Sequence, residues 1–221
     1  MPSAPDFDVM VFDTYTPRPD AQARNYDQWL VDVDCPLFNS LDMIAAYTCW
    51  KVLKAKGNRA NSARGSNDPY SYFSFFGLSD ASGFEAMMAD PKAEAHVPLW
   101  VSNWSRNPES ADMAENFFFS FARLSHFKPG KMAECVVLVP YQCKAAIDGP
   151  GYEHWSSNPE AVSAFAETVR YESWVVEKQL QGDYAPNGVD LFFVESFDHA
   201  NTVWDTAPTA VLGTLVAGPT C

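Results

Sequence analysis

The order of β-rich and helix-like segments repeats along the 221-residue chain and constrains its fold more than any other sequence feature. Strands place apolar residues with a period of two, whereas amphipathic helices place them with a period near 3.6. These periods predict the order strand, helix, strand, strand, helix, strand in each half. The predicted strands cover residues 5–15, 43–55, 70–78 and 116–127, and then 133–143, 171–180, 189–197 and 210–218.

Proline is expected to interrupt both helices of the first half, because it lacks a backbone donor and its ring clashes with the preceding turn. The first helix begins after Asp20 and ends or kinks at Pro36. Its apolar face is predicted to carry Tyr26, Trp29, Leu30 and Val33. The second helix begins at 80–82 and is broken at Pro91 and Pro98. The helices of the second half are predicted at 158–171 and 198–206.

The segment Lys128 to Lys131 (KPGK) is the best internal boundary, because Pro and Gly interrupt two β-like segments there. It divides the chain into units 1–127 and 132–221. Two consecutive βαββαβ units predict an α+β fold made of two tandem ferredoxin-like units that form an α+β barrel. Facing the two sheets is expected to bury Tyr72, Phe75 and the aromatic cluster 117–121 together around one shared hollow.

Charge and composition limit the classes of partner. The formal net charge is −13 and the sequence pI is near 4.5, so binding to nucleic acid or to anionic membranes is disfavoured. Residues 1–8 lack the features of a secretory signal, and no run of about 18 apolar residues is present. The five cysteines are scattered without a CxxC pair, so we expect reduced thiols in a cytoplasmic protein. A homodimer is compatible with the sequence.

The chain resembles the dimeric α+β barrel superfamily, in a fused form in which one chain supplies both halves. The resemblance rests on the element order and is carried by FDVMVFDTY, YSYFSFFGL, NFFFSFARLSHF, ECVVLVPY and VDLFFVES. It implies a fold shared by cofactor-free cyclases, isomerases, lyases and monooxygenases, by haem enzymes and by small binding proteins. A fold alone does not select among these activities.

Aromatic residues make up 14 % of the chain and lie on both faces of the predicted strands. They indicate either an aromatic-lined pocket for a planar ligand or rings that only fill the core. If a pocket exists, six residues are candidates to bind the substrate, with Arg123 placed to hold a carboxylate. These residues are Tyr47, Trp50, Trp100, Phe119, Arg123 and Tyr141.

Five residues are candidates for proton transfer. His126 ends an aromatic strand, His96 lies on the second predicted helix, and His154 lies on a loop, and imidazole is well suited to move protons near neutral pH. Tyr72 could donate to a developing oxyanion. Asp13 would have a raised pKa if it pointed inward. Each also has a structural alternative, such as a turn histidine, a core phenol or a surface acid.

No nucleotide-binding, serine-hydrolase or HExxH zinc motif occurs, which favours chemistry without a cofactor. The first hypothesis is a cofactor-independent lyase, isomerase or cyclase acting on a small aromatic or polyketide-like metabolite. The second is a binding protein for a hydrophobic metabolite. The third is a haem-dependent monooxygenase or peroxidase, since an axial histidine is enough to ligate haem.

Overall fold

A computed structural model describes residues 7, 9–56, 70–106, 117–141, 168–181, 188–207 and 210–218. Within these residues, eight strands pair in antiparallel fashion and close into a barrel. The strands are β1 (Val9–Tyr15), β2 (Ile44–Lys56), β3 (Tyr72–Leu78), β4 (Phe117–Lys128), β5 (Cys135–Tyr141), β6 (Arg170–Gln181), β7 (Gly188–Val194) and β8 (Ala210–Ala217). The alternation of apolar residues predicts all eight strands, with ends that differ by a few positions.

The strand order around the barrel is the same in the two halves of the chain. It reads β4-β1-β3-β2 in the first half and β8-β5-β7-β6 in the second. The halves meet where β2 pairs with β8 and where β4 pairs with β6. The predicted α+β fold around a barrel is therefore confirmed. The ferredoxin-like nature of each unit and the boundaries 1–127 and 132–221 stay predictions, because most of the helix predicted at 158–171 lies outside the described residues.

The helical segments lie between strands. They are a 3-10 turn (Gln22–Arg24), α1 (Tyr26–Trp29), a π turn (Leu30–Asp34), α2 (Cys35–Phe38), α3 (Gly83–Ala89), α4 (Pro91–Trp104) and α5 (Phe197–Thr206). In the described part of the chain, none of these helices is long and apolar enough to cross a bilayer. The WSxNPE sequences at 104–109 and 155–160 predict helix starts at Asn107 and Asn158, and both asparagines lie outside the described residues.

Of the predicted breaks, the one at Pro91 is confirmed, since α3 ends at Ala89 and α4 begins at Pro91. Pro36 and Pro98, in contrast, lie within helical segments. Pro36 lies in the first turn of α2, and the helical path continues to Phe38. Pro91 occupies the first position of α4, where its missing N–H has no intrahelical partner to lose. The Asp90 side chain caps this helix by accepting a hydrogen bond from the backbone N–H of Lys92 at 2.8 Å. Pro98 lies inside α4 on an exposed position and does not end it.

The barrel interior is packed with side chains from both halves. Phe12, Trp50 and Phe75 from the first half meet Trp174 and Phe193 from the second in one buried cluster. The described residues thus fill the space where a shared hollow was expected. The expectation that Tyr72 and Phe75 lie together was wrong, because residues three apart on a regular strand point to opposite faces. The side chains of 117–121 lie outside the described part of the structure.

Two outer layers cover the barrel. In the first half, α1, α2 and α4 pack on the outward faces of β1, β2 and β3, with Tyr26, Leu30 and Trp100 among the buried residues. In the second half, α5 packs on β5, β7 and β8 through Ala200 and Val203. Polar side chains are buried in the first outer layer, and the candidate site lies there.

Candidate functional site

A buried hydrogen bond links two helical segments of the first outer layer. The Nε2 atom of His96, on α4, lies 2.7 Å from Oδ1 of Asp34, and both side chains are almost fully buried. Asp34 is the last residue of the π turn. Such a turn adds one residue to the helical circuit and often occurs at functional sites. It directs a carboxylate into the layer between helix and sheet.

The Asp34 carboxylate is also held by the barrel. The Tyr47 hydroxyl, on β2, donates to Oδ2 of Asp34 at 2.7 Å. The two oxygens of the Asp34 carboxylate therefore contact different elements. The imidazole of His96 stacks on Trp29 with ring centroids 5.3 Å apart, and Phe38 contacts it edge-on at 5.5 Å. Buried charged groups need this kind of compensation, because burial removes their hydration.

Close polar contacts continue from Tyr47 across the outward face of the sheet. The remaining contacts are Tyr47 hydroxyl to Ser74 Oγ at 3.5 Å, Ser74 Oγ to Cys49 Sγ at 3.6 Å, Tyr15 hydroxyl to Cys49 Sγ at 3.2 Å, Tyr26 hydroxyl to Tyr15 hydroxyl at 3.3 Å, and Trp100 Nε1 to Tyr26 hydroxyl at 2.9 Å. We call the eight residues joined by these contacts the buried polar chain. They are His96, Asp34, Tyr47, Ser74, Cys49, Tyr15, Tyr26 and Trp100. It contains hydroxyl, thiol, carboxylate and imidazole groups in one connected set.

Asp13 lies beside this chain on β1. Burial raises its pKa to about 8, a hydrogen bond from Ser74 opposes the rise, and the charge of Asp34 adds to it. Its Oδ1 has no hydrogen-bond partner among the described residues. A carboxyl group with such a pKa is mostly protonated at neutral pH, and it can therefore donate a hydrogen bond. Because Asp13 is buried, its structural alternative as a surface acid is wrong, and its catalytic role stays a prediction.

The phenols and the thiol of the chain are neutral groups. Burial raises the pKa values of Tyr15, Tyr26 and Tyr47 well above their usual range. Nearby Cys49 raises all three further, and Asp34 raises those of Tyr26 and Tyr47. Burial likewise raises the pKa of the Cys49 thiol. These side chains act as hydrogen-bond donors and acceptors and not as anions at pH 7.

A cleft of about 350 Å³ opens at the edge of the same layer, next to Tyr72. Its described lining residues come from the segment after β1, from β2, from the start of β3 and from the end of α4. They are Thr16, Pro17, Arg18, Pro19, Ala21, Gln22, Lys51, Val52, Leu53, Lys54, Tyr70, Ser71, Tyr72 and Arg106. The Tyr72 ring stacks on Tyr15 at 5.6 Å, so the cleft adjoins the buried polar chain.

Tyr72 takes part in a compact polar cluster at the cleft. Its hydroxyl donates to Oδ1 of Asp27 at 2.5 Å and accepts a hydrogen bond from Gln22. The Lys51 ammonium lies 2.7 Å from Oδ2 of Asp27 and 2.8 Å from Oε1 of Gln22. We call these four residues the Tyr72 cluster. It presents a phenol and an ammonium group that both contact the Asp27 carboxylate.

Electrostatics fix the protonation states in the Tyr72 cluster. Burial and the Asp27 carboxylate raise the pKa of Tyr72 far above its usual value. Burial acts to raise the pKa of Asp27, but hydrogen bonds from Lys51, Tyr72 and Gln22 outweigh it, so the net shift is downward. At neutral pH the cluster therefore contains a neutral phenol beside an ionised carboxylate and an ammonium group.

The structure places several predicted site residues in this outer layer. His96, Asp13, Tyr47 and Trp100 belong to or adjoin the buried polar chain, and Tyr72 lines the cleft. Their roles stay predictions.

Other predicted residues lie elsewhere. Trp50 is fully buried in the barrel interior, where its ring stacks on Phe73, and it does not line the cleft. Arg123 is exposed on β4 and contacts Glu177 at 2.9 Å, which agrees with its structural alternative of a surface pair. His126 and Phe119 lie on β4 and Tyr141 on β5, but their side chains are outside the described part, as is all of His154.

The sequence patterns did not point to Asp27, Asp34 or Lys51. The one signal in the sequence is that Asp34 follows Tyr26 and Leu30 at four-residue intervals, which places an acid on the predicted apolar face of the helix. In the structure that acid is buried. Lys51 carried no signal, since a lysine within a strand is most simply a solvated side chain.

Haem does not fit at His96. The Nε2 atom is occupied by Asp34, and Trp29 and Phe38 pack against the ring. Among the described residues, no group of three or more His, Cys, Asp or Glu side chains is arranged to hold a metal ion. No step through haem or a metal is derived for these residues.

Comparisons with known proteins support the fold. A family model described as REDY-like protein HapK matches residues 9–110, which is less than half of the chain. No curated protein matches the sequence. The matched segment runs from β1 to just beyond α4, so it contains both the buried polar chain and the cleft.

Solved structures extend the similarity over nearly the whole chain. An anthrone oxidase-like protein is 8 % identical, with a TM-score of 0.54 and coverage of 96 % of this chain and 92 % of its own. A candidate monooxygenase from Fusobacterium nucleatum subsp. nucleatum is 9 % identical, with a TM-score of 0.56 and coverage of 95 % and 92 %. A candidate chlorite dismutase is 10 % identical, with a TM-score of 0.51 and coverage of 95 % of both chains. These similarities establish an α+β barrel-type fold.

Proposed function

We propose that the protein is a cofactor-free enzyme that transfers a proton to or from a small aromatic substrate bound in the cleft beside Tyr72. The observation that carries the proposal is the Tyr72 cluster, in which a neutral phenol is held by an ionised carboxylate at the wall of a cleft. Preorganised donors at the position where negative charge develops are a major source of catalysis.

Each member of the Tyr72 cluster has a chemical task in this proposal. In the free protein the single O–H of Tyr72 donates to Asp27. On substrate binding it turns to the substrate oxygen that gains negative charge when a neighbouring C–H or O–H proton leaves, while Lys51 and Gln22 keep their contacts with Asp27. The Lys51 ammonium, 2.7 Å from Asp27, stabilises the same charge. Asp27 does not line the cleft, but its carboxylate adjoins the lining residues Tyr72 and Lys51 and, once the Tyr72 hydroxyl turns away, is free to accept the proton. The second phenol of the cleft, Tyr70, offers an aromatic wall for the substrate ring.

The buried polar chain supports the cleft from behind. Tyr15 stacks on Tyr72 and is itself held by Cys49 and Tyr26. Residues whose rotamers are fixed by a supporting layer of hydrogen bonds hold a reacting group in place more closely than unsupported ones. His96 and Asp34 are positioning residues in this scheme, since their contacts are with the chain and not with the cleft lining.

Deuterium exchange with a panel of small ketones tests the proposal, because it detects proton removal from any substrate that fits the cleft. Aromatic ketones with an acidic C–H next to the carbonyl are incubated with the protein in D₂O, and label uptake is followed by mass spectrometry. We expect enzyme-dependent exchange for at least one ketone of the panel. Tyr72→Phe should slow it by about 10²- to 10³-fold, which is the typical cost of losing one oxyanion donor.

Tyr70→Phe is the matched control, because it removes a hydroxyl from the same cleft and leaves the contact between Tyr72 and Asp27 in place. Binding of the ketones without any exchange would instead favour the non-catalytic binding protein. Equal exchange rates for wild type and Tyr72→Phe would contradict the role given to Tyr72.

An oxygen-dependent reaction is the second candidate. It is favoured by the names of two structural neighbours, an anthrone oxidase-like protein and a candidate monooxygenase. Both reactions would begin with the same proton removal. The substrate anion then gives one electron to O₂, the resulting substrate radical and superoxide combine and take up a proton to form a hydroperoxide, and loss of water from it leaves a carbonyl group. Oxygen uptake measured with an electrode on the same panel separates them. Exchange without oxygen uptake supports the lyase, isomerase or cyclase class.

A further inference from the structure

The described lining of the cleft beside Tyr72 contains basic side chains and no acidic ones, in a chain whose net charge is −13. Among its described lining residues, four are Lys or Arg and none is Asp or Glu. The four are Arg18, Lys51, Lys54 and Arg106. In a protein with 28 acidic and 15 basic side chains, this local excess runs against the overall composition.

A β-bulge brings two of these cations to the same cleft. In a regular strand, Lys51 and Lys54 would point to opposite faces, because they are three residues apart. On β2, however, Val52 pairs with Gly213 and Lys54 pairs with Leu212, so Leu53 is an extra residue in the ladder. Bulges often occur next to functional sites, where they redirect a side chain. Here the bulge accounts for both lysines lining the cleft.

The cations of the cleft differ in how they are compensated. Lys51 is paired with Asp27, and Arg18 is paired with Asp20. Lys54 is held by neutral groups: its Nζ donates to Oδ1 of Asn201 at 2.9 Å and lies 4.3 Å from the centroid of the Trp204 ring. Among the described residues, no carboxylate forms an ion pair with Lys54. Asn201 and Trp204 lie on α5 and do not line the cleft, so they hold the Lys54 ammonium at the cleft edge that faces α5.

We infer that the ligand of this cleft is an aromatic molecule with a carboxylate group, and that Lys54 binds the carboxylate. The inference rests on the proposed function in that it names the substrate class for the same cleft. With the carboxylate at Lys54, the ring lies along the walls formed by Tyr70 and Tyr72, and its other end faces the Tyr72 cluster. Arg18 lies on the same wall as a second cation.

Benzoate and benzamide form a matched pair of probes, because they share a ring and differ in charge. Their binding to the full chain is measured by ¹H–¹⁵N NMR titration, with no turnover required. We expect shifts of cleft residues with both probes and at least about tenfold tighter binding of benzoate, the scale of one charge-assisted contact. Lys54→Gln should remove this preference and leave benzamide binding unchanged.

Lys131→Gln is the control variant, since Lys131 pairs with Glu195 and does not line the cleft. Equal affinities of benzoate and benzamide for the wild type would overturn the inference, and so would unchanged benzoate binding in Lys54→Gln with a native-like spectrum. Retained preference in Lys54→Arg would support it, because that variant keeps the charge.

Each of the two proposals can be rejected while the other is retained. A preference for benzoate together with no deuterium exchange for any ketone would retain the carboxylate site and reject the proton-transfer function. Exchange that depends on Tyr72, with no preference for benzoate, would retain the function and reject the carboxylate site.

Discussion

His96 and Asp34 are 62 positions apart in the sequence, yet their side chains meet at 2.7 Å inside the layer between helix and sheet. This contact connects α4 to the π turn, and a hydrogen bond from Tyr47 connects the same carboxylate to β2. Three elements thus depend on one buried side chain.

Asp34→Ala should destabilise the protein by about 3–5 kcal/mol, because removing one partner leaves the polar atoms of His96 and Tyr47 buried without compensation. The free energy of unfolding is measured by urea denaturation. Asp32→Ala, an exposed carboxylate on the same turn that contacts Gln28, is the control and should change it by less than about 0.5 kcal/mol. Similar values for the two variants would argue against a structural role for the contact.

Asp13→Asn should change how stability depends on pH. The pKa of Asp13 is about 8 in the folded protein and near 3.8 when unfolded. Between these values the folded state binds more protons, so this group lowers stability as pH rises, by up to about 1.4 kcal/mol per pH unit. Asn does not titrate. The stability of Asp13→Asn relative to wild type should therefore increase from pH 5 to pH 8.

Urea midpoints at pH 5, 6, 7 and 8 measure this difference, and groups shared by the two proteins cancel in it. Parallel pH profiles for Asp13→Asn and wild type would show that Asp13 has an ordinary pKa.

Gly213→Ala should destabilise the barrel by about 1–3 kcal/mol, the usual cost of overpacking a core. A Cβ atom at this position would lie 2.5 Å from Cζ of Phe73, and Phe73 cannot move freely because it stacks on Trp50. Gly218→Ala is the control. Gly218 directly follows β8, and the Cβ atom added there would lie 3.6 Å from Cγ2 of Thr48, which is an ordinary van der Waals contact. Thermal unfolding of both variants checks the prediction. A larger loss for Gly218→Ala would contradict the packing described here.

Cys35, Cys49 and Cys135 should react with a thiol reagent only after unfolding. All three are buried, and burial raises the pKa values of Cys49 and Cys135, which suppresses the reactive thiolate. Replacing Cys143 and Cys221 by Ser removes the two remaining thiols from the assay. In that variant we expect no modification by Ellman's reagent in native buffer and three equivalents in urea. Rapid native labelling would place at least one of the three thiols at the surface.

The strands were predictable because each of them has alternating apolar residues, as in Val9 to Tyr15. The site was less predictable. The expected helical face contained Val33, but Val33 is 42 % exposed and Asp34 is buried, because the π turn shifts the register by one residue. The bulge at Leu53 has a similar effect on Lys54. Regular periods cannot reveal residues placed by irregular turns.

The fold class followed from element order, whereas the contents of the barrel did not. The expectation of a shared hollow treated both faces of the strands alike. In the structure Phe75 and Trp50 fill the interior, and Tyr72 and Tyr47 face the helices. Whether the barrel interior contains a cavity depends on the sizes of the side chains that meet there from the two halves. The apolar pattern of a single strand does not contain that information.

The seams at which β2 pairs with β8 and β4 pairs with β6 join two halves encoded in one chain. When two identical subunits build a barrel, every substitution appears twice, and a polar residue useful on one side is imposed on the other. A single polypeptide is released from that constraint. The two outer layers can then diverge, so that acids, phenols and an imidazole gather around Asp34 in the first while α5 packs on the barrel through Ala200 and Val203 in the second.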